Sequence, residues 1–398
     1  MKLTFYLILL LSLVFTQCYS QTNPENRHPL ENYGNKNWPQ YMGPNQDGKV
    51  DRPYIPDKEF QLRWKFEYKG GSPTPIVVEN GTIFFGTKSK DIYALDSLGK
   101  LKWKIKLNSS ITHSLAISKN ILIVAPDSSF VYGIDALNGE IIWKRNFDYN
   151  RTSVFGSHVK VHDKNILAPI LHEHKVYITT PLQIIALDIK TGETLYQTDK
   201  EVFDISLIPL ITDDYIYTGS NYRYLYAFNK LNGDFKWQSE TTGSNEGKPF
   251  LFRDTLYFPA KYSLNKINKN TGEEVGFLTS GRSTKLYNII DREIYYFAKN
   301  GYEWGSSVKA INLASEEEIW YYKTPGKIIS NIIMVGNYLY FGDSEGYVSC
   351  IEKHTGQELF QVWLRGSIYH PLSYADGNFY IASQGFKGNN THWIYMVR

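Results

Sequence analysis

The chain is poor in cysteine. Among 398 residues there are two, Cys18 and Cys350, and no adjacent pair. One of them sits in an export segment, so a single thiol is left for the fold. That excludes an intramolecular disulfide and a structural cysteine–metal site. Charge of one sign is also lacking: 43 Lys and Arg stand against 40 Asp and Glu, a formal net charge of +3, with no local basic cluster. Such a surface gives no electrostatic footing for nucleic acid. After residue 15 no apolar run approaches the roughly 20 residues of a membrane span. Nothing beyond that point repeats with the period of an amphipathic helix.

What is present begins with a targeting segment. "MKLTFYLILLLSLVFTQCYSQ" carries one early lysine, an apolar run from Phe5 to Phe15 and then small and polar residues. It is expected to be a secretory signal over residues 1–20. Two processing routes are open. Cleavage after Ser20 releases a soluble exported protein, and cleavage before Cys18 leaves a lipid anchor there, although "VFTQ" makes a poor acylation signal because Gln17 is not small. Residues 21–59 then read as a leader with a "WPQYMGP" motif, and 60–398 as the folded body.

The body repeats itself. "YALDSLGKLKW", "YGIDALNGEIIW", "IIALDIKTGETLY", "LYAFNKLNGDFKW" and "VKAINLASEEEIW" follow one pattern, closing on Trp103, Trp143, Tyr196, Trp237 and Trp320. Trp64, Gly276 and Phe360 complete the series. A period of about 40 residues signals a solenoid, propeller or array. Between the closing residues lie short alternating runs such as "GTIFFGT", "HKVYITT" and "NYLYFGD", separated by turn residues, and the chain has 31 tyrosines. These are strand signals. Four strands per period make one propeller blade.

The expected fold is therefore all-β, an eight-bladed propeller of four-stranded antiparallel blades. In the second blade the strands are expected near 113–117, 121–125, 131–134 and 141–145. The last unit ends at its third strand, "IYMVR", while "FQLRWKFEY" near the other end is an orphan outer strand. Pairing the two would close the ring and remove its exposed edges. Ala94, Gly133, Ala186, Ala227 and Ala310 fill one small-residue slot, expected to make room for an aromatic of a neighbouring blade. Gly99, Gly139, Gly192, Gly233, Gly272 and Gly356 are expected at positive φ. Unit five departs, with Lys266 in the small slot and Gly276 in the aromatic one. Cys350 occupies the small slot of its unit and is expected to be a packed thiol.

These motifs resemble the PQQ-like, quinoprotein-type β-propeller repeat, roughly A-x-D-x-x-T-G-x-x-x-W. "WPQYMGPNQDG" is similar to the W-P-x-F-R-G-P leader that precedes such propellers, with Tyr41 and Met42 replacing Phe-Arg. The resemblance implies either a quinone dehydrogenase or the non-enzymatic, BamB-like branch. The enzymes place the quinone against a disulfide of adjacent cysteines and bind calcium with acidic and amide ligands. This chain has no such cysteine pair. No catalytic, cofactor-binding or metal-ligating residues are assigned, and no cofactor is expected.

Two groups of residues remain as candidates. Aligning the inner strands puts His113, Lys248, Asn331 and His370 at one repeat position, so they are expected to converge as ligand residues at a channel mouth. "HEHK", from His172 to Lys175, is expected as a surface hairpin. Long loops fall together on one face, and Tyr222, Tyr302, Glu303, Trp304 and Phe386 on them are expected to form a binding face, since aromatics on loops held by a rigid scaffold anchor proteins and sugars. The expected function is an exported non-catalytic scaffold, periplasmic, secreted or outer-membrane-anchored, with an envelope protein as partner. The alternative is a carbohydrate-binding or polysaccharide-degrading propeller, a lyase or hydrolase.

Overall fold

A computed structural model describes residues 37–50, 60–147, 166–199, 202, 205–220, 223–241, 243, 247–260, 263–279, 287–300, 306–386 and 390–398. Every regular element among them is a strand, and none is a helix able to cross a membrane. The strands form seven four-stranded sheets and one of five, the eight blades of a propeller. Blade 2 has strands Ala116–Ser118, Ile121–Val124, Phe130–Asp135 and Ile141–Asn146, paired antiparallel in sequence order. Its inner strand starts three residues later than the sequence suggests. Just upstream, Ile111 N–H bonds the Thr87 carbonyl of blade 1.

The ring closes as the repeat count requires. Leu62–Lys69 is the outer strand of blade 8 and pairs with Thr391–Val397, with Trp64 opposite Met396 and Phe66 opposite Ile394. Reciprocal backbone bonds between Gln61 and Arg398, 2.9 and 3.1 Å, extend the seam.

Apolar cores lie between neighbouring blades. Blades 1 and 2, for example, share Phe84, Ile92 and Ala94 with Ile111, Leu122 and Tyr132. The repeat motif explains how each seam is fastened. The small residue sits directly across from the aromatic of its own blade, as in Ala94 opposite Trp103 and Gly133 opposite Trp143. This corrects the expectation that the slot serves a neighbour's aromatic: a Cβ on Gly133 would lie 2.2 Å from the Trp143 ring. The ring then projects onto the next blade's turn. Indole N–H groups of Trp64, Trp103, Trp143, Trp237 and Trp320 donate to the carbonyls of Ser97, Ala136, Ile189, Lys269 and Lys353 at 2.9–3.0 Å. Tyr196 Oη donates likewise to the Lys230 carbonyl. The turn glycines serve this contact. Gly99 has φ 77° and its Cβ would lie 2.7 Å from the Trp64 ring.

Candidate functional site

The inner strands leave one edge of every blade facing the central channel, with backbone groups to satisfy. At the end where the inner strands turn back, the leader satisfies many of them. Trp38 exchanges two 2.8 Å backbone bonds with Val78 of blade 1, and the Pro39 carbonyl accepts from Ile117 of blade 2 at 2.7 Å. The Gln40 amide, fully buried, bonds both backbone groups of Leu171 in blade 3, at 3.1 and 2.7 Å. The chain then turns through Gly43, whose φ is 80° and whose Cβ would meet the Trp38 ring at 2.9 Å. Lys248 of blade 5 donates its ammonium to the Gln46 carbonyl. Finally Lys49–Val50 adds to Ile333–Val335 of blade 7 as a fifth, parallel strand. Trp38, Met42 and Val50 join the core of blades 7, 8 and 1. The protein's own leader thus crosses its channel and fills the hairpin end.

Hairpin registers place the four channel candidates. Counting back from the first paired residue of each hairpin, His113 is five before Ser118 and His370 five before Ala375, while Lys248 is four before Phe252 and Asn331 four before Val335. The four therefore divide into two pairs one position apart. Thr74 and Ser330 hold the same position as the two histidines, and their hydroxyls accept the N–H groups of Gly86 and Gly342 at 3.0 and 3.2 Å. His113 and His370 lie within each other's electrostatic reach. The His370 ring bonds the Pro73 carbonyl through Nε2 at 2.9 Å. Burial pushes His370 down to about 4, with Lys88 and His113 adding to the effect against that bond. Burial also lowers His113, opposed by Asp127. Both rings are neutral at pH 7. Lys248 turns to the leader instead; burial lowers its ammonium to about 7, opposed by Asp47. Asn331 is 8% exposed.

A pH prediction follows for His370. Its folded pKa is below the ordinary value of 6.5, so the unfolded chain takes up the proton first and stability falls as pH drops from about 6.5 toward about 4. The full loss is on the order of 3 kcal/mol. Denaturant titrations of wild type and His370→Gln between pH 7 and pH 4 should show the variant lacking this part of the acid slope. Parallel slopes would contradict it.

Tyr222, Tyr302, Glu303 and Trp304 of the expected binding face lie outside the described residues. Phe386 is described and is 42% exposed. Trp393, at the far end of that loop, is buried at 2%; its indole donates to Glu67 at 3.0 Å and the Arg365 guanidinium covers its ring. His172 opens the expected hairpin, paired with Lys175, but its side chain is only 8% exposed. It lies 3.4 Å from the Lys230 ammonium, which donates to Glu173 at 2.9 Å. That contact between blades 3 and 4 was hidden from the sequence because its members come from different repeat units.

A quinone or calcium site would need thiols or acidic side chains gathered in one place. Cys350, the lone thiol of the described residues, is fully buried opposite Phe360, and burial pushes it up to about 12. Among the described residues no three His, Cys, Asp or Glu side chains are grouped as metal ligands. Among the described residues the quinone enzymes' donor set is not assembled.

Comparison with known proteins agrees with the fold. A family model described as "Outer membrane protein assembly factor BamB" matches residues 57–275, more than half of the chain. BamB from Moraxella catarrhalis superposes with a TM-score of 0.62 at 18% identity, over 85% of this chain and 97% of that one. A europium-containing methanol dehydrogenase superposes at 0.71 with 11% identity, over 92% and 98%. At these identities both show the propeller fold alone. An uncharacterized protein of Rickettsia conorii is 26% identical over 206 residues, 50% of this chain and 48% of its own length. The chain spans half or less of the curated relatives it matches.

Proposed function

The chain belongs to the family described as outer membrane protein assembly factor BamB, and on that premise we propose that it is an exported, non-catalytic propeller that holds a protein partner at the cell envelope. One structural observation carries the reading beyond family membership. The hairpin end of the channel is filled by the protein's own leader, packed through Trp38, Gln40 and Met42. That packing supports a rigid, internally fastened ring that offers its outer surface for recognition. The loop face that bears Phe386, with Tyr222, Tyr302, Glu303 and Trp304 in the adjoining loops, is the proposed contact region.

The test is affinity recovery from envelope extracts, comparing wild type with Trp304→Ala/Phe386→Ala. A partner recovered by wild type and reduced about tenfold by the double substitution is expected, as for loss of two aromatic anchors. Equal recovery would reject this face. Release of reducing ends or unsaturated sugars from envelope polysaccharides, with no partner recovered, would reject the scaffold reading in favour of carbohydrate chemistry.

A further inference from the structure

The apolar side chains that stay in solvent are gathered on the outer rim of the ring. Among the described residues sixteen large apolar side chains are exposed. Eleven of them stand on the outer strands and three, Leu98, Leu137 and Leu231, on the turns that lead into those strands. Each outer strand is the last of its sheet, so among the described residues one backbone edge has no strand beside it. Free edges that carry exposed Leu, Ile, Val and aromatic side chains are surfaces on which other chains dock.

Charge divides this rim in two. The outer strand of blade 1 is Leu101–Lys106, and with the residue before it carries Lys100, Lys102, Lys104 and Lys106 and no acid. On blade 8, Arg63, Lys65 and Lys69 outnumber Glu67, and on blade 2, Lys144 and Arg145 outnumber Glu140. Across the ring the sign is reversed. The outer strands of blades 5, 6 and 7 are Glu274–Thr279, Glu318–Thr324 and Glu358–Trp363. Each opens on a glutamate, in the register position where blades 8, 1 and 2 have Leu62, Leu101 and Ile141. Glu273 precedes the first of these strands, and Glu316 and Glu317 the second. Against these acids the three strands hold one cation, Lys323.

Most of these charges are left for a partner. Among the described residues Lys104 is the only rim cation of blades 8, 1 and 2 with a carboxylate partner, Asp91 at 3.3 Å. Lys266 and Lys309 hold Glu316 and Glu318, while Glu273, Glu274 and Glu317 are ion-paired to no described residue. Lysine along a free edge ordinarily keeps copies of a protein apart, because like edges repel. That device fails when the same molecule carries glutamate on its opposite edge, and blade 5 stands across the eight blades from blade 1.

We infer that the partner of this rim is a second copy of the chain: the lysine-bearing edge of blades 8, 1 and 2 of one molecule docks on the glutamate-bearing edge of blades 5 and 6 of the next. Exposed apolar side chains of both edges leave water in the contact, and the opposite charges fix which edge meets which and speed the encounter. The two edges belong to different blades, so the contact is head to tail. It leaves one docking edge unused at each end, and copies add in rows instead of closing as a two-fold dimer. The inference goes beyond the scaffold reading and does not depend on it.

The experiment is sedimentation velocity on the purified protein without residues 1–20. The average mass should rise with protein concentration past that of a dimer, and the association should weaken at least about tenfold between about 50 mM and about 500 mM salt as the screening length shortens. Lys100→Glu/Lys102→Glu/Lys106→Glu and Glu273→Lys/Glu274→Lys/Glu317→Lys change only exposed side chains. Each variant alone should be monomeric, because its altered edge repels the unaltered edge of the next copy. Mixed in equal amounts the two variants should assemble again, which misfolded chains would not do. A wild type that stays monomeric up to about 100 μM at low salt, association indifferent to salt, variants that associate as wild type does, or a mixture that stays monomeric would each overturn the inference. A monomeric wild type that floats with vesicles containing phosphatidylglycerol would overturn it in favour of an anionic lipid surface. Recovery of an envelope protein by a monomeric wild type would overturn it and leave the scaffold reading standing. Assembly with no partner recovered would strike that reading alone.

Discussion

Replacing Trp38 with alanine is expected to lower the unfolding free energy by about 3–5 kcal/mol, the range for truncating a buried large aromatic. Trp38 is 1% exposed, lies against Gly43 and belongs to the core that joins blades 7, 8 and 1. Its loss leaves a cavity in that core, beside inner strands that are each already fixed by their own sheet. Gln40→Ala should add a smaller loss of about 1–3 kcal/mol by leaving the buried Leu171 backbone groups without a partner. Guanidinium titration measures both. A Trp38→Ala change within 1 kcal/mol of wild type, the level of an ordinary surface substitution, would mean the leader is not seated as described.

The second large effect concerns the closure. Ile394 is fully buried and pairs with Phe66 of the strand that completes blade 8. Ile394→Ala should cost about 2–5 kcal/mol through the cavity it opens. Ile394→Asp places an unpaired charge between the sheets, an effect of more than about 4 kcal/mol, and is expected to yield no soluble folded protein. Leu359→Asp, at a 39% exposed position on the outer strand of blade 7, is the matched control and should be near neutral. Equal tolerance of Ile394→Asp and Leu359→Asp would show that the terminal strands do not hold the ring shut.

The ring was legible in the sequence because its determinants are local and repeated. The small slot, the turn glycine and the closing aromatic recur at fixed offsets, and the orphan strand around Trp64 announces itself by the missing strand at the other end. The direction of the aromatic contact was misread. Sequence order says only that Ala94 and Trp103 recur together, whereas the pairing of adjacent strands puts one across from the other. The leader's role was not legible at all. Its contacts run from Pro39 to Ile117, from Gln40 to Leu171 and from Gly48 to Met334, separations that no periodicity encodes. The only local hints were Trp38 and Met42, with Pro39 between them and Gly43 and Pro44 just after. Of the site, Lys248 and the two histidines were found by repeat alignment, but a one-residue irregularity before the inner strands separated them. The departure of unit five, with Lys266 and Gly276, showed only as a lapse of the motif. The partner of Lys266, Glu316 of the next blade, comes from another repeat unit.

Closure of the ring depends on Leu62–Lys69 being zipped to Thr391–Val397 within a single chain. Lys65 and Tyr395 are direct partners in that pairing, so Lys65→Cys/Tyr395→Cys, made in a Cys350→Ala protein without residues 1–20, brings two thiols to disulfide distance. Oxidation of the dilute protein followed by non-reducing electrophoresis should give a monomer of altered mobility in which the free thiols have disappeared. Thiols that stay free, or that link only one molecule to another, would contradict the closed ring.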